Sequence, residues 1–199
     1  MSLTPRAMLG TAVLALTFFQ LAAAAEPAAA THYTLDPAKS ALEFQFVQAG
    51  AQNKGHFGKF PVSLELLSDS PAGGKLDVLV QMTSLDTGDK ERDDTLRGPD
   101  LFDVAKFPQA RFTSTQISKS AAGYEAVGKL TIRGVTREQR VAFTFRTAQE
   151  QGRTVGYLTG KTTLKRLEFG VGQGDWKSTE WVGGDVVVSY SLRLVSAAR

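Results

Sequence analysis

Apolar residues recur at every second position through most of this chain, and that period dictates sheet. Leu42, Phe44 and Phe46 alternate with Glu43 and Gln45, and Val62, Leu64 and Leu66 with Ser63 and Glu65. Leu76, Val78, Val80 and Met82 form a third set. Leu130 with Ile132, then Val141, Phe143 and Phe145, then Val186, Val188, Tyr190, Leu192 and Leu194 continue it. Successive side chains of a strand point to opposite faces, so each set buries one face. Gly- and Pro-marked turns at Pro71, before Tyr124, at Gly134 and at Gly152 suit short antiparallel connections. About eight antiparallel strands and one short helix fit either a closed barrel or a sandwich. Alternation alone leaves open whether such a barrel is filled by its own side chains or encloses one small ligand; the filled core is the default.

The amino terminus follows a different rule. Arg6 is the only charge before Glu26, Ala7 to Leu21 is a nearly unbroken apolar run, and Ala22 to Ala25 follow it. This order is expected of a secretory signal peptide over 1–25, cleaved after Ala25. The competing reading is a membrane anchor, but crossing roughly 30 Å of hydrocarbon takes about 20 apolar residues, for which the run is marginal. A flexible segment, 26–32, and a single domain, 33–199, are expected to follow. Removing 25 of 199 residues leaves 174, enough for one domain with a sizeable core.

Composition excludes several functions. Without Arg6, 22 basic residues face 20 acidic ones, a net of +2. Acids and bases are interspersed, which gives no case for nucleic acid. The absence of cysteine excludes a thiol enzyme. His32 and His56 are the whole imidazole supply, and no spacing resembles a zinc, haem or iron–sulfur site.

The densest chemistry lies in "SLDTGDKERDDTLRGPDLFDVAKFP", where seven of the nine residues from Asp89 to Arg97 are charged. Asp93 and Asp94 point about 100° apart on a helix, so they do not form an opposed catalytic pair. The spacing instead predicts local ion pairs: Asp89–Arg92, Lys90–Asp94 and Asp93–Arg97. Gly98-Pro99 ends the helix, and Leu101, Phe102, Val104 and Phe107 follow. A charged helix joined to an apolar loop beside the end of a strand bundle reads as a lid.

Four segments carry a family resemblance: "YTLDPAKSALEF" (Tyr33–Phe44), "SLDTGDKERDDTLRGPDLFDVAKFPQARF" (Ser84–Phe112), "YEAVGKLTIRGVTREQ" (Tyr124–Gln139) and "LEFGVG" (Leu167–Gly172). Their order and spacing resemble the YceI-like family over nearly all of Tyr33 to Leu194. The resemblance implies an all-β, lipocalin-like, eight-stranded antiparallel barrel in the bacterial periplasm, with one short helix and a lid loop. It also implies a long apolar lumen holding a polyisoprenoid or similar long-chain amphiphile, which moves the expectation from a filled core to a lined cavity. The chain departs from the family at Gln48-Ala49-Gly50, where many relatives carry a basic-His-x-Gly sequence. Lys54 and His56 are the nearest replacements, and a surface role is expected of His56. The tail "FGVGQGDWKSTEWVGG" resembles a subset of the family found beside cytochrome b561-type membrane proteins, implying a quinone or redox-membrane setting.

If the lumen is lined, its wall is expected to include Leu42, Phe44, Phe46, Phe57, Val78, Val80, Met82, Phe112, Leu130, Ile132, Phe143, Phe145 and Tyr190. A one-residue register error would swap a whole set. Phe102, Phe107, Phe169 and Trp176 are candidates for the barrel ends. Arg92, Arg97 and Arg166 are candidate head-group contacts, although local acids compete for the first two. No cofactor, metal or catalytic residue is expected beyond the bound isoprenoid lipid. The leading expectation is a periplasmic binding or carrier protein, monomeric or homodimeric, holding a quinone or polyprenyl lipid. One alternative is an interaction protein making transient contact with an inner-membrane redox complex. The other is an enzyme acting on an isoprenoid lipid, for which no nucleophile–base pair is in view.

Overall fold

In a computed structural model of the chain, residues 30–67 and 70–197 are described. The expected signal peptide and most of the 26–32 segment lie outside them. Among the described residues, eleven strands form one antiparallel sheet: β1 (Thr31–Leu35), β2 (Ala41–Gln48), β3 (Ala51–Phe57), β4 (Val62–Leu66), β5 (Lys75–Gln81), β6 (Leu85–Asp86), β7 (Gln109–Ser120), β8 (Gly123–Ile132), β9 (Val135–Glu150), β10 (Arg153–Lys165) and β11 (Asp185–Ser196). Pairing runs β1-β4-β5-β7-β8-β9-β10-β11, and β1 also pairs with β11, which closes an eight-stranded ring. β11 changes neighbour along its length, with 194–196 on β1 and 187–191 on β2. β2, β3 and β6 thereby extend the wall at one end. The sandwich alternative is set aside by this closure.

Three hairpins explain why the faces fall where the alternation puts them. Ala49-Gly50, Arg133-Gly134 and Gln151-Gly152 are two-residue loops with both φ values positive, between 49° and 76°. Such turns match the right-handed twist of the strands and lock register. Locked register keeps each apolar set on the inside.

The two ends of the barrel differ. One end is packed solid by Tyr33, Leu64, Leu66, Ile117, Ala126, Phe143 and Leu194, all buried. Across the other end lies α1 (Lys90–Arg97). Asp89 caps it by accepting from the Arg92 N–H at 3.1 Å, and Gly98 ends it. The chain then doubles back, with Phe102 N–H donating to Leu96 O and Val104 N–H to Arg97 O, each at 3.0 Å. All three expected helix ion pairs form: Lys90–Asp94 at 2.5 Å, and Arg92–Asp89 and Arg97–Asp93 at 3.7 Å.

Candidate functional site

Between the packed end and α1 the barrel is hollow. A cavity of ≈ 580 Å³ runs under the helix, within the roughly 300–1,000 Å³ range of sites that take one small ligand. Its wall is built from the inner faces of the strands. Leu42, Phe44 and Phe46 of β2 face Val186, Val188 and Tyr190 of β11, and Val78, Val80, Phe112, Leu130 and Ile132 complete the opposite side. Phe57 and Met82 line it as well. Phe44 stacks on Phe46 at 6.0 Å and leans on Phe57 at 5.2 Å between ring centroids. Adaptable Met and aromatic surfaces suit an irregular apolar guest.

The lid is seated by apolar contact. Leu96 and Phe102 pack on the Phe44, Phe46 and Val182 cluster together with Trp176, and Leu101 packs on Phe169 and Val171. Phe102, Phe169 and Trp176 line the cavity at this end. Of the lid's charges, Asp89, Glu91 and Arg92 border the cavity, and Asp93 serves the frame. Asp93 is buried, where it accepts from the Thr87 N–H at 2.8 Å and hydroxyl at 2.7 Å. Its role is to staple the helix to the preceding turn. The charged block is thus a lid frame.

Five sequence expectations need correction. Phe143 and Phe145 face inward but lie at the packed end: Phe143 is stacked on Tyr124 at 5.6 Å, and Phe145 meets Tyr33 edge-on at 6.0 Å. Parity along β9 is right; depth along the barrel is what alternation cannot report. Phe107 covers the Gly134 turn beneath Lys106 and Arg133, away from the cavity. Arg97 donates to Leu85 O and pairs with Asp93 and Asp94, so it is not presented to the lumen. Arg166 lines the cavity, but all five of its N–H groups are used, on the carbonyls of Gly183, Val171, Trp176, Ser178 and Val182 at 2.7–3.0 Å. It organises the 166–184 loop from within and has no donor left for a head group. Gly172, at φ 125°, leaves the space this guanidinium fills. Burial pulls the Arg166 pKa below its ordinary value. Of the three candidate arginines only Arg92 reaches the lumen without its guanidinium being committed to backbone carbonyls, its contact being Asp89 at 3.7 Å.

Sequence reasoning missed other lining residues. Val186 and Val188 share parity with Tyr190, so the alternation that found one would have found all three. Val171 and Val182 sit in a Gly-rich loop with no periodicity. Gln139 and Thr162 are polar residues on inner faces, invisible to a hydropathy pattern. Tyr190 spans the lumen wall, donating its hydroxyl to Ala142 O at 2.5 Å, and burial pushes its pKa above the ordinary phenol range.

These features define a class: a closed antiparallel β-barrel with one filled end and one lidded, apolar lumen. Residues 33–194 match the YceI-like domain, and the chain belongs to that family. It is 38% identical over 133 residues to a UPF0312 protein of Yersinia enterocolitica, covering 65% of this chain and 69% of the relative. Among solved structures, Burkholderia cenocepacia BcnA matches with a TM-score of 0.71 at 33% identity, over 80% of this chain and 98% of that one. A polyisoprenoid binding domain from Saccharophagus degradans shares the fold, with a TM-score of 0.59 at 16% identity over 83% of this chain and 98% of that one.

Proposed function

We propose that the chain is a secreted, periplasmic carrier that holds a polyisoprenoid or similar long-chain amphiphile, such as a quinone or polyprenol, in its lumen. The observation that carries this reading is the largely apolar cavity of ≈ 580 Å³ beneath a lid seated on it through Leu96 and Phe102. An isoprenoid tail in water costs about 0.8 kcal/mol per exposed CH₂, so a water-borne carrier has to wall the chain on all sides. The barrel and the Phe102–Trp176 closure do this with Phe, Leu, Val and Met. The polyisoprenoid-binding neighbour from Saccharophagus degradans supports the same ligand class. Binding without turnover accounts for the site: its acids are tied into α1, and its buried arginine is tied to carbonyls.

A series of prenols of increasing length tests this. Affinity is expected to rise with each added isoprene unit until the lumen is full and then level off. Affinity independent of chain length would reject the lumen as the site.

A further inference from the structure

The barrel wall is not sealed all the way round. β9 and β10 pair from Glu150–Arg153 to Ala142–Lys161, and the ladder stops there. Beyond that point, residues 135–141 of β9 pair with β8 alone, and residues 162–165 of β10 pair with β11 alone. The other strands around the lidded end stay joined: β10–β11 to Lys165–Asp185, β5–β7 to Gln81–Gln109, and β8–β9 to Ile132–Val135. The sheet therefore forks between β9 and β10, and the lumen reaches both lips of the fork, at Gln139 and Val141 on β9 and at Thr162 and Leu164 on β10.

Side chains stand where ladder bonds would be. Gln139 Nε2 donates to Thr162 Oγ1 and to Arg140 O, both at 3.0 Å. The Thr162 hydroxyl donates to Arg140 O at 3.0 Å. At the far end of the slot Arg137 Nε donates to Glu168 O at 3.3 Å. Tyr190 braces the fork from inside through Ala142 O, its ring crossing Gly160, where a Cβ would lie 2.7 Å from it. Each lip keeps a full ladder to its other neighbour, so these few side-chain bonds can open without a strand leaving the barrel. The route under α1 is different. It passes Asp89, Glu91 and Arg92, and the Phe102 plug is held by backbone bonds. Leu167, 39% exposed, stands on the turn at the outer end of the slot.

We propose that the fork between β9 and β10 is a side portal, through which the prenyl chain of the ligand passes between the lumen and its donor membrane. The lid over α1 stays shut during loading. This rests on the carrier reading above. A flexible hydrocarbon chain is thin enough to slide between two strands, and the Gln139–Thr162 clasp it must part is neutral, so parting it desolvates no charge.

The cysteine-free chain makes the test direct. Arg140→Cys with Thr163→Cys places two exposed thiols on opposite lips. Thr144→Cys with Thr159→Cys places the same staple across a stretch already zipped. Each pair is oxidised, the crosslink is verified by mass, and loading from polyprenol-containing phosphatidylcholine vesicles is followed by native mass. Stapling the fork is expected to slow loading about tenfold and reduction to restore it, with final occupancy unchanged. The control staple leaves the rate alone. Removing the clasp with Gln139→Ala and Thr162→Val is expected to speed loading. Unaltered loading in both the stapled and the unclasped variants would overturn the portal while leaving the carrier reading intact. A wild-type chain that takes up no polyprenol would overturn both.

Discussion

The two ends of this barrel are made from the same kind of strand and do opposite things. β9 contributes Phe143 to the packed end and Val141 to the lumen, two residues apart on one face. β2 and β11 likewise run from the filled core into the cavity wall. Cross-section separates the ends. At the packed end β1 and β4 close the ring tightly around Leu64 and Leu194, both fully buried. At the other end β2, β3 and β6 take over from β1, the β9–β10 ladder stops, and a lid spans the wider mouth. A hydrophobic pattern sets which way a side chain points; strand pairing sets how much room it finds there.

The largest effect is expected at the joint between lid loop and barrel. Arg166→Met strands five buried or half-buried carbonyls at once. With each unsatisfied polar group costing about 1–3 kcal/mol before relaxation, a loss of at least 3 kcal/mol in urea unfolding is expected. A wild-type midpoint would show that the loop holds itself without Arg166.

Paired cavity and filling mutations sharpen the comparison. Leu194→Ala, at the packed end, is expected to cost about 2–5 kcal/mol by opening a void in a close-packed core. Ile132→Ala, on the lumen wall, enlarges a space that already exists and is expected to cost about 1 kcal/mol while weakening lipid binding. The reverse swap inverts the outcome. Ala126→Phe overpacks the filled end and destabilises by about 1–3 kcal/mol, whereas Val80→Phe is tolerated and occupies the lumen. If Val80→Phe destabilised as much as Ala126→Phe, the two ends would be equally packed.

Acid should act on the packed end first. There Arg193 joins Asp36 at 2.5 Å and Glu150 at 2.7 Å, tying β11 to the β9–β10 turn. The Tyr157 hydroxyl, then Arg193, hold Glu150 below its ordinary value of 4.5. A depressed carboxylate contributes stability that is complete above that value and is lost as pH falls through the folded pKa. The melting-temperature gap between wild type and Glu150→Gln should therefore be constant from pH 7 to about 5 and close below about 4. A gap independent of pH would remove Glu150 from the account. The smallest effect belongs to the surface of α1, where breaking the exposed Lys90–Asp94 pair with Lys90→Ala is expected to change stability by no more than about 0.5 kcal/mol.

What could be read from sequence follows the range of the interactions. The α1 ion pairs were legible because partners three and four residues apart share a helix face. The faces of β2, β5 and β11 were legible because the pleat has period two. Depth was not, which is why Phe143 and Phe145 were expected in the lumen. Nor was the work of Arg166, whose partners are backbone carbonyls of a loop with no pattern of its own. The fork was illegible because β9 and β10 continue as good strands on either side of it, each with another neighbour.

The most direct test of the lined lumen is the native mass of the protein taken from the periplasm of its own host without detergent, followed by solvent extraction and identification of what is released. The account predicts one long-chain isoprenoid per barrel, lost in the Val80→Phe variant. A clean ligand-free mass, with no uptake of added quinone or polyprenol, would contradict it.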